Sequence, residues 1–594
     1  MNPFAIGTKI IVRQNVSFQM TYINATKGFE SSSLQYAHFG LGDATNIDTL
    51  QVIWPDGKTV TLTNVKGDQK ITVDYPSSIS QAGSSLTSVY PISSPIFLDI
   101  TDSISLPFIH RENDFNDFGI QPLLLHKVST EGPKIAVADI NGDGIDDFFV
   151  CGAKGQPGSL FVQMPDGKFL STNKKIFEAG SECEDVNAVF FDADKDGDND
   201  LYVVSGGNET EGNNTSLQDR LYINDGKGNF SKSAMLPEFY GNKSAVAVTD
   251  IDNDGDQDIF VGGRCVAGKY GNKPVSYLLL NDGKGKFVLA DEATAPGLKS
   301  IGMVTGADWS DIDHDGWRDL IIVGEWMPVT VFKNEKGRLK NITVSVGLQH
   351  TTGLWTTIYK TDINNDGYDD LLIGNWGQNS KLKASETFPL KMFAGDFNRN
   401  GNTDPIVAKA ENGIYYPFLG KDELEKRFPA IIRKIFFSYN SFASQSVYQV
   451  FGEKIKQASE FNAAELSSVL LLNNRKSGFL ISRLPYQVQW TPVFSFLTDD
   501  FNDDGKQDIL SGGNFWGSQP YEGRYDAGYP VLLTQKDSAM FSPVMVKESG
   551  ININGEIRDI KLIHLVGNRK AYLFAVNNNR LIVIQHHSFS GGLP

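Results

Sequence analysis

Cysteine is scarce in this chain. Cys151, Cys183 and Cys265 are the only three in 594 residues, too few and too widely spaced for a disulfide framework or a zinc-ligand pattern. They read as small buried apolar residues. Long hydrophobic runs are missing too: no stretch is long and apolar enough for a transmembrane helix. Positive charge is in deficit, with 54 Lys and Arg against 71 Asp and Glu and a formal net charge of −17. That balance argues against a nucleic-acid or anionic-membrane partner, because both require a basic face. There is no Gly-x-Ser-x-Gly, no His-Glu-x-x-His and no phosphate loop, and the eight histidines are scattered. No catalytic residue is assigned, and the chain is not expected to be an enzyme. The start, MNPFAIGTKIIV, lacks the charged, apolar and small-residue succession of a signal peptide.

What the chain has instead is one pattern, Asp-x-Asx-x-Asx-Gly-x-x-Asp, written seven times. Side-chain oxygens at positions 1, 3, 5 and 9, a carbonyl at position 7 and a turn-permitting Gly at position 6 suit a hard, many-coordinate cation, and Ca2+ is the expected ion, up to seven in all. The ligand sets are Asp139, Asn141, Asp143, Ile145 and Asp147; Asp192, Asp194, Asp196, Asp198 and Asp200; Asp250, Asp252, Asp254, Asp256 and Asp258; Asp311, Asp313, Asp315, Trp317 and Asp319. They continue with Asp362, Asn364, Asp366, Tyr368 and Asp370; Asp396, Asn398, Asn400, Asn402 and Asp404; and Asp500, Asn502, Asp504, Lys506 and Asp508. The Asp396 copy carries Asn at three of these positions and should bind most weakly. An EF-hand needs a bidentate Glu at position 12 and flanking helices. Position 12 holds Val150, Val203, Val261, Ile322, Ile373, Val407 and Ser511, inside short apolar strand-like runs. Each loop therefore caps a β-hairpin. One such string alone would equally suit a solvated turn; seven, with Asp at position 9 every time, argue for the ion. Seven divalent ions would also offset most of the net charge.

The copies recur at spacings of 53, 58, 61, 51, 34 and 104 residues, in the range of propeller repeats. Later strands follow in LYINDGKGNF (221–230), YLLLNDGKGKF (277–287), VTVFKNEKGRL (329–339) and SVLLLNNRKSGF (468–479), giving four strands per unit. The expected fold is all-β: a β-propeller over 96–594 of seven blades, or eight if the Asp396 loop opens its own, with a partly helical insertion at about 420–467. Residues 557–585 read as a degenerate blade without a cation loop. A small β-sandwich-like domain over 1–76, with strands as late as KITVDY (70–75), precedes a Ser-, Gly- and Pro-rich linker at 77–95.

At its loops the chain resembles the FG-GAP/VCBS repeat family, which shares this pattern with the propeller of integrin α subunits. AIGTKIIV (5–12), SSSLQYAHFGLG (31–42) and IDTLQVIWPDGKTVTLTNVKGDQKITV (47–73) resemble the ASPIC/UnbV domain. Together the two resemble bacterial relatives of cartilage acidic protein. The resemblance implies an extracellular or outer-membrane surface location, and a chain starting downstream of the usual export signal, upstream propeller and any lipid anchor. It also implies a glycan or protein partner.

With the acidic loops on one rim, the segments after the second strands fall on the other. They are rich in aromatic and polar residues: Trp326, Trp376, Trp516, Arg524, Tyr525 and Asp526, with Glu325, Asn375 and Asn514 nearby. These could stack on and bond a sugar or peptide, or plug the gaps between blades. His314, at position 4 of its loop, should point away from the ion, and His586-His587 reads as exposed tail. The leading expectation is a calcium-stabilised binding propeller, followed by an architectural spacer and then a polysaccharide-acting enzyme.

Overall fold

The computed structural model describes residues 4–15, 17–26, 28–32, 36–75, 95–104, 106–475, 478–537 and 539–587. The chain divides into two compact units, Met1–Ser94 and Pro95–Pro594. In the first, one antiparallel sheet runs in the order Ser17–Tyr22, Lys9–Gln14, Asn46–Ile53, Thr59–Lys66. Val12, Ile47 and Leu50 are buried together, with Phe39, Leu41, Leu62 and Val65 packed against them. Pro55-Asp56-Gly57 makes the last hairpin turn, with Gly57 at φ 87°. Among the described residues this is a single sheet rather than a sandwich. KITVDY is not a strand: Tyr75 instead anchors on the hairpin, its ring edge-on to Trp54 at 5.7 Å. The expected linker lies outside the described residues except for Pro95.

Among the described residues the second unit contains seven antiparallel sheets placed one after another, six of four strands and one in which Gly353–Leu354 adds a fifth. Their first strands are Ile135–Ala138, Glu184–Phe191, Asn242–Thr249, Met303–Ser310, Thr357–Thr361, Val493–Asp499 and Glu556–Leu565. Each lies beside the first strand of the next sheet, and the last lies beside the first, so they close a ring. Small or short side chains such as Ala188, Ala245, Ala247, Gly306 and Ala307 line a central channel of about 420 Å³. Second strands sit between neighbouring sheets, so both faces are covered; Asp200–Gly206, Asp258–Cys265 and Asp319–Met327 are buried along their whole length. That is why they read as continuous apolar runs rather than alternating ones.

The last sheet joins both ends of this unit. Glu556–Leu565, Arg569–Asn577 and Ile582–His586 take Phe97–Asp99 as their fourth strand, with His586 opposite Phe97. The pair His586-His587 is therefore structural rather than tail: the His586 ring packs edge-on against Phe97 at 5.9 Å, and the His587 N–H donates to the Ile96 carbonyl at 2.7 Å.

The fifth sheet is interrupted. Between its second strand, Asp370–Gly374, and its third, Val469–Asn473, the chain builds a separate sheet in the order Ile414–Pro417, Asp404–Glu411, Leu390–Gly395, Ser459–Ala463. Helices Lys421–Arg427, Pro429–Ile435, Tyr439–Ala443 and Val447–Phe451 follow its third strand. Pro429 costs nothing because it opens a helix, where its missing N–H would be unbonded anyway. The insertion thus begins near residue 375, well before the helices that signal it in the sequence. It carries the Asp396 loop outside the ring.

Candidate functional site

All seven acidic loops fold alike, and hydrogen bonds within each loop explain the residue choice. The position-1 carboxylate accepts the N–H of the position-6 Gly in every copy, from 2.7 Å at Gly505 to 3.1 Å at Gly197. Those glycines stand at φ between 81° and 93°, where a side chain would be strained. The position-5 oxygen accepts the position-7 N–H at 2.9–3.0 Å in every copy.

Position 9 has a second role that its conservation of type within the chain did not reveal. Asp200 accepts the Ala193 N–H at 2.9 Å on one oxygen and the Asn224 N–H at 2.8 Å on the other, tying its loop to the third strand of its sheet. Asp147, Asp258, Asp319, Asp370 and Asp508 make the same two bonds. Burial pushes Asp147, Asp200, Asp258 and Asp319 up to about 7, and Asp370 and Asp508 up to about 6, although the N–H bonds oppose it. Asp404 differs: it pairs with Arg427 Nε at 2.6 Å.

The donor set fits a hard cation. Ligand oxygens of Asp192, Asp194 and Asp200, of Asp250, Asp252 and Asp254, and of Asp311, Asp313 and Asp315 each gather within 4.8 Å of one another. Asp192 Oδ1, Asp194 Oδ1 and Asn398 Oδ1 are shielded from solvent and have no hydrogen-bond partner. Water-excluded oxygens in that state are costly unless something positive meets them. The Asp311 loop is the exception, because the Lys333 ammonium bonds Asp313 and lies 2.8 Å from Asp315. His314 points outward and stacks on Tyr368 of the next loop, ring centroids 3.9 Å apart.

A second device, missed in the sequence, locks neighbouring sheets together. A residue at or near the end of the third strand reaches the position-2 carbonyl of the preceding sheet's loop: Asn224 to Ile140 at 2.8 Å, Asn281 to Ala193 at 2.9 Å, Asn334 to Ile251 at 2.8 Å, Asn473 to Ile312 at 2.9 Å and Gln535 to Ile363 at 2.8 Å. His586 contacts the Phe501 carbonyl at 3.1 Å, and Gln163 donates to His564 at 3.1 Å, completing the circuit across the last sheet. The signal was present as the recurrent Asn of the third-strand turn, where turn propensity accounted for it.

The opposite rim is built differently. Trp326 and Trp376 are 5% and 3% exposed, so neither presents a surface to a ligand. Residues Leu124 and Val128 of a crossing segment, and Leu390, Met392, Val407 and Ala463 of the insertion, roof them over. Trp326 is turned inward at a bulge, at φ 62°. Its Nε1 donates to the Tyr270 hydroxyl at 2.8 Å, and that hydroxyl bonds Glu325. Glu325 also takes a bidentate pair from Arg264, at 2.8 and 3.1 Å, and His126 Nε2 at 2.9 Å. Burial opposes its charge, but these two cations hold its carboxyl well below the usual range. Asn375 and Asn514 are buried and bonded to backbone. The remaining candidates sit on one loop: Trp516 is half-buried with the Arg524 guanidinium over its ring at 4.6 Å, Tyr525 packs on Trp376 at 5.4 Å, and Arg524 and Asp526 are exposed.

Ring closure, four-stranded sheets and acidic hairpin loops define a β-propeller of the cation-loop type. Residues 1–80 match the family model described as ASPIC and UnbV, and 139–203, 192–261 and 311–373 match that described as FG-GAP-like repeat. The chain thus carries FG-GAP-like repeats within a β-propeller and matches an ASPIC/UnbV domain at its start. No curated protein sequence matches it. Among solved structures, a lectin of Agrocybe aegerita recognising non-reducing terminal N-acetylglucosamine aligns at 14% identity over 71% of this chain and 82% of its own, with a TM-score of 0.37. The V. cholerae biofilm matrix protein Bap1 aligns at 12% identity over 82% of this chain and 91% of its own, TM-score 0.33.

Proposed function

We propose that the chain is a calcium-stabilised binding propeller acting outside the cell, with its acidic rim as scaffold and its partner, a glycan or a protein, on the opposite rim. The observation that carries the scaffold reading is the set of unpartnered, shielded oxygens Asp192 Oδ1 and Asp194 Oδ1 beside Asp200. Carboxylates converging in this way repel one another until a divalent cation neutralises them, so metal binding becomes folding energy. Extracellular calcium suits loops of modest affinity.

Support for a partner surface comes from the loop around 514–529. Tyr521 and Tyr529 are exposed there, beside Arg524 and Asp526. Lys381 sits over the Tyr521 ring at 5.2 Å and pairs with Glu522 at 3.3 Å. Exposed rings flanked by fixed charges suit stacking on a sugar face with hydrogen bonds at its edge. Binding is favoured over catalysis because the clustered carboxylates of the repeat loops form ion-ligand sets and the buried Glu325 is paired. The test is a glycan and protein array probed with the wild-type chain and with Tyr521→Ala/Arg524→Ala. Loss of a wild-type signal with unchanged melting temperature supports the reading. No wild-type signal, with robust calcium stabilisation, favours an architectural spacer.

A further inference from the structure

The helices of the insertion turn back at a tip that neither rim uses. Helix Pro429–Ile435 sends Ile432 into the core of the insertion, and Phe436 follows it there. The backbone is extended at Phe436 and Ser438, with φ of −116° and −137°, so neighbouring side chains alternate in direction. Phe436 is buried edge-on against Phe442, ring centroids 5.6 Å apart, whereas Ile435, Phe437 and Tyr439 are 57%, 87% and 64% exposed. Among the described residues Phe437 is the most exposed large hydrophobic side chain of the second unit. The turn is nevertheless well tied. Ser438 Oγ accepts the Ser441 N–H at 3.2 Å where helix Tyr439–Ala443 begins, and the Tyr439 hydroxyl donates to Asp422 at 2.9 Å. Apolar residues exposed singly need no explanation, but three grouped on one ordered turn do.

The charge around this tip is the reverse of the chain's. Residues 426–452 hold Lys426, Arg427, Arg433 and Lys434 and no Asp or Glu, within a chain whose formal net charge is −17. Arg427 is turned inward to Asp404, while Lys426, Arg433 and Lys434 are exposed. The nearby acids are engaged: Glu425 takes the Lys421 ammonium and lies 3.8 Å from Arg433, and Asp422 accepts the Tyr439 hydroxyl. Exposed charges more than about 10 Å apart are largely screened at 0.1 M salt, so the net charge of the whole chain does not set the potential at the tip. That net charge excludes a broad basic face, not a local one.

We propose that this tip docks on the headgroup layer of an anionic lipid bilayer, with Ile435, Phe437 and Tyr439 entering the interface and Lys426, Arg433 and Lys434 meeting lipid phosphates. Apolar and aromatic side chains flanked by Lys and Arg are the composition of elements that lie in a membrane surface without spanning it. A tyrosine suits that depth, because its ring is apolar and its hydroxyl keeps a polar partner. The apolar set is small and the charges are few, so the attachment is reversible and salt-sensitive.

Vesicle flotation of the full chain in Ca2+ buffer tests this. The chain should rise with vesicles of phosphatidylcholine and phosphatidylglycerol, less with phosphatidylcholine alone, and less again at high salt. Phe437→Asp should cut binding about tenfold, the worth of one aromatic ring withdrawn from an apolar surrounding. Its melting temperature should not change, because the side chain lies outside the core. Arg433→Gln/Lys434→Gln should remove the preference for anionic vesicles. No binding to anionic vesicles would overturn the proposal. So would binding that Phe437→Asp leaves unchanged, which would assign it to Ca2+ held between the acidic loops and lipid phosphates. A lipid-free dimer that Phe437→Asp dissociates, in place of vesicle binding, would assign the tip to a second copy of the chain and overturn it as well.

Discussion

The two rims of the propeller hold their ends together by opposite means. On the loop rim the same nine positions recur, each copy closes on itself, and neighbours are linked by one amide or imidazole reaching one carbonyl. On the other rim a bulge recurs near the start of the first strand in five sheets, but no side-chain motif closes each sheet on itself. Arg264, Glu325, His126, Tyr270 and Trp326 form one buried network beneath a crossing segment and the insertion. The first rim is modular and leaves oxygens for ions; on the second, the buried Glu325 carboxylate is neutralised by the protein's own Arg264 and His126. The lesson is that a repeat can specify a ring without specifying what covers it, and the cover decides which surfaces remain for a partner.

The sharpest break of this comparison is calcium removal. A site filled at a hundredfold excess over its Kd contributes about 2.7 kcal/mol, so several loops together are worth on the order of 10 kcal/mol. EGTA should lower the melting temperature by on the order of 10 °C for a unit of this size, and Ca2+ should restore it. Next comes Glu325→Gln, which leaves His126 without its carboxylate and Arg264 with Glu131 alone. Breaking a buried pair from one side costs about 3–5 kcal/mol, and the loss should be the same in Ca2+ and in EGTA when read by chemical denaturation. Asn334→Ala removes one inter-sheet bond and should cost about 1–2 kcal/mol, again readable by denaturation. The smallest effect is expected at Lys333→Ala. Its ammonium already occupies the Asp313 and Asp315 oxygens, so removal should leave stability in EGTA little changed while tightening calcium binding by isothermal titration.

Legibility followed the range of the interactions. The loops and their flanking strands could be read because a cation loop and a hairpin are written within some twenty residues at fixed spacing and period two. The degenerate last sheet could be read from the same rhythm in 557–585, but its fourth strand could not. Phe97–Asp99 is three residues long and pairs with Ile582–His586 at the far end of the unit. His586 therefore looked like tail. Trp326 and Trp376 stayed open between a ligand surface and inter-sheet packing because their cover, Leu124, Val128 and Leu390 through Ala463, is distant in sequence or belongs to an insertion whose start carries no signal.

Hydrogen exchange on the full chain, with Ca2+ and with EGTA, tests the contrast between the rims most directly. The account predicts that chelation exposes the amides of 139–147, 192–200, 250–258, 362–370 and 500–508, while 320–327 and 372–377 keep their protection. Equal loss on both rims, or none on the loop rim, would contradict it.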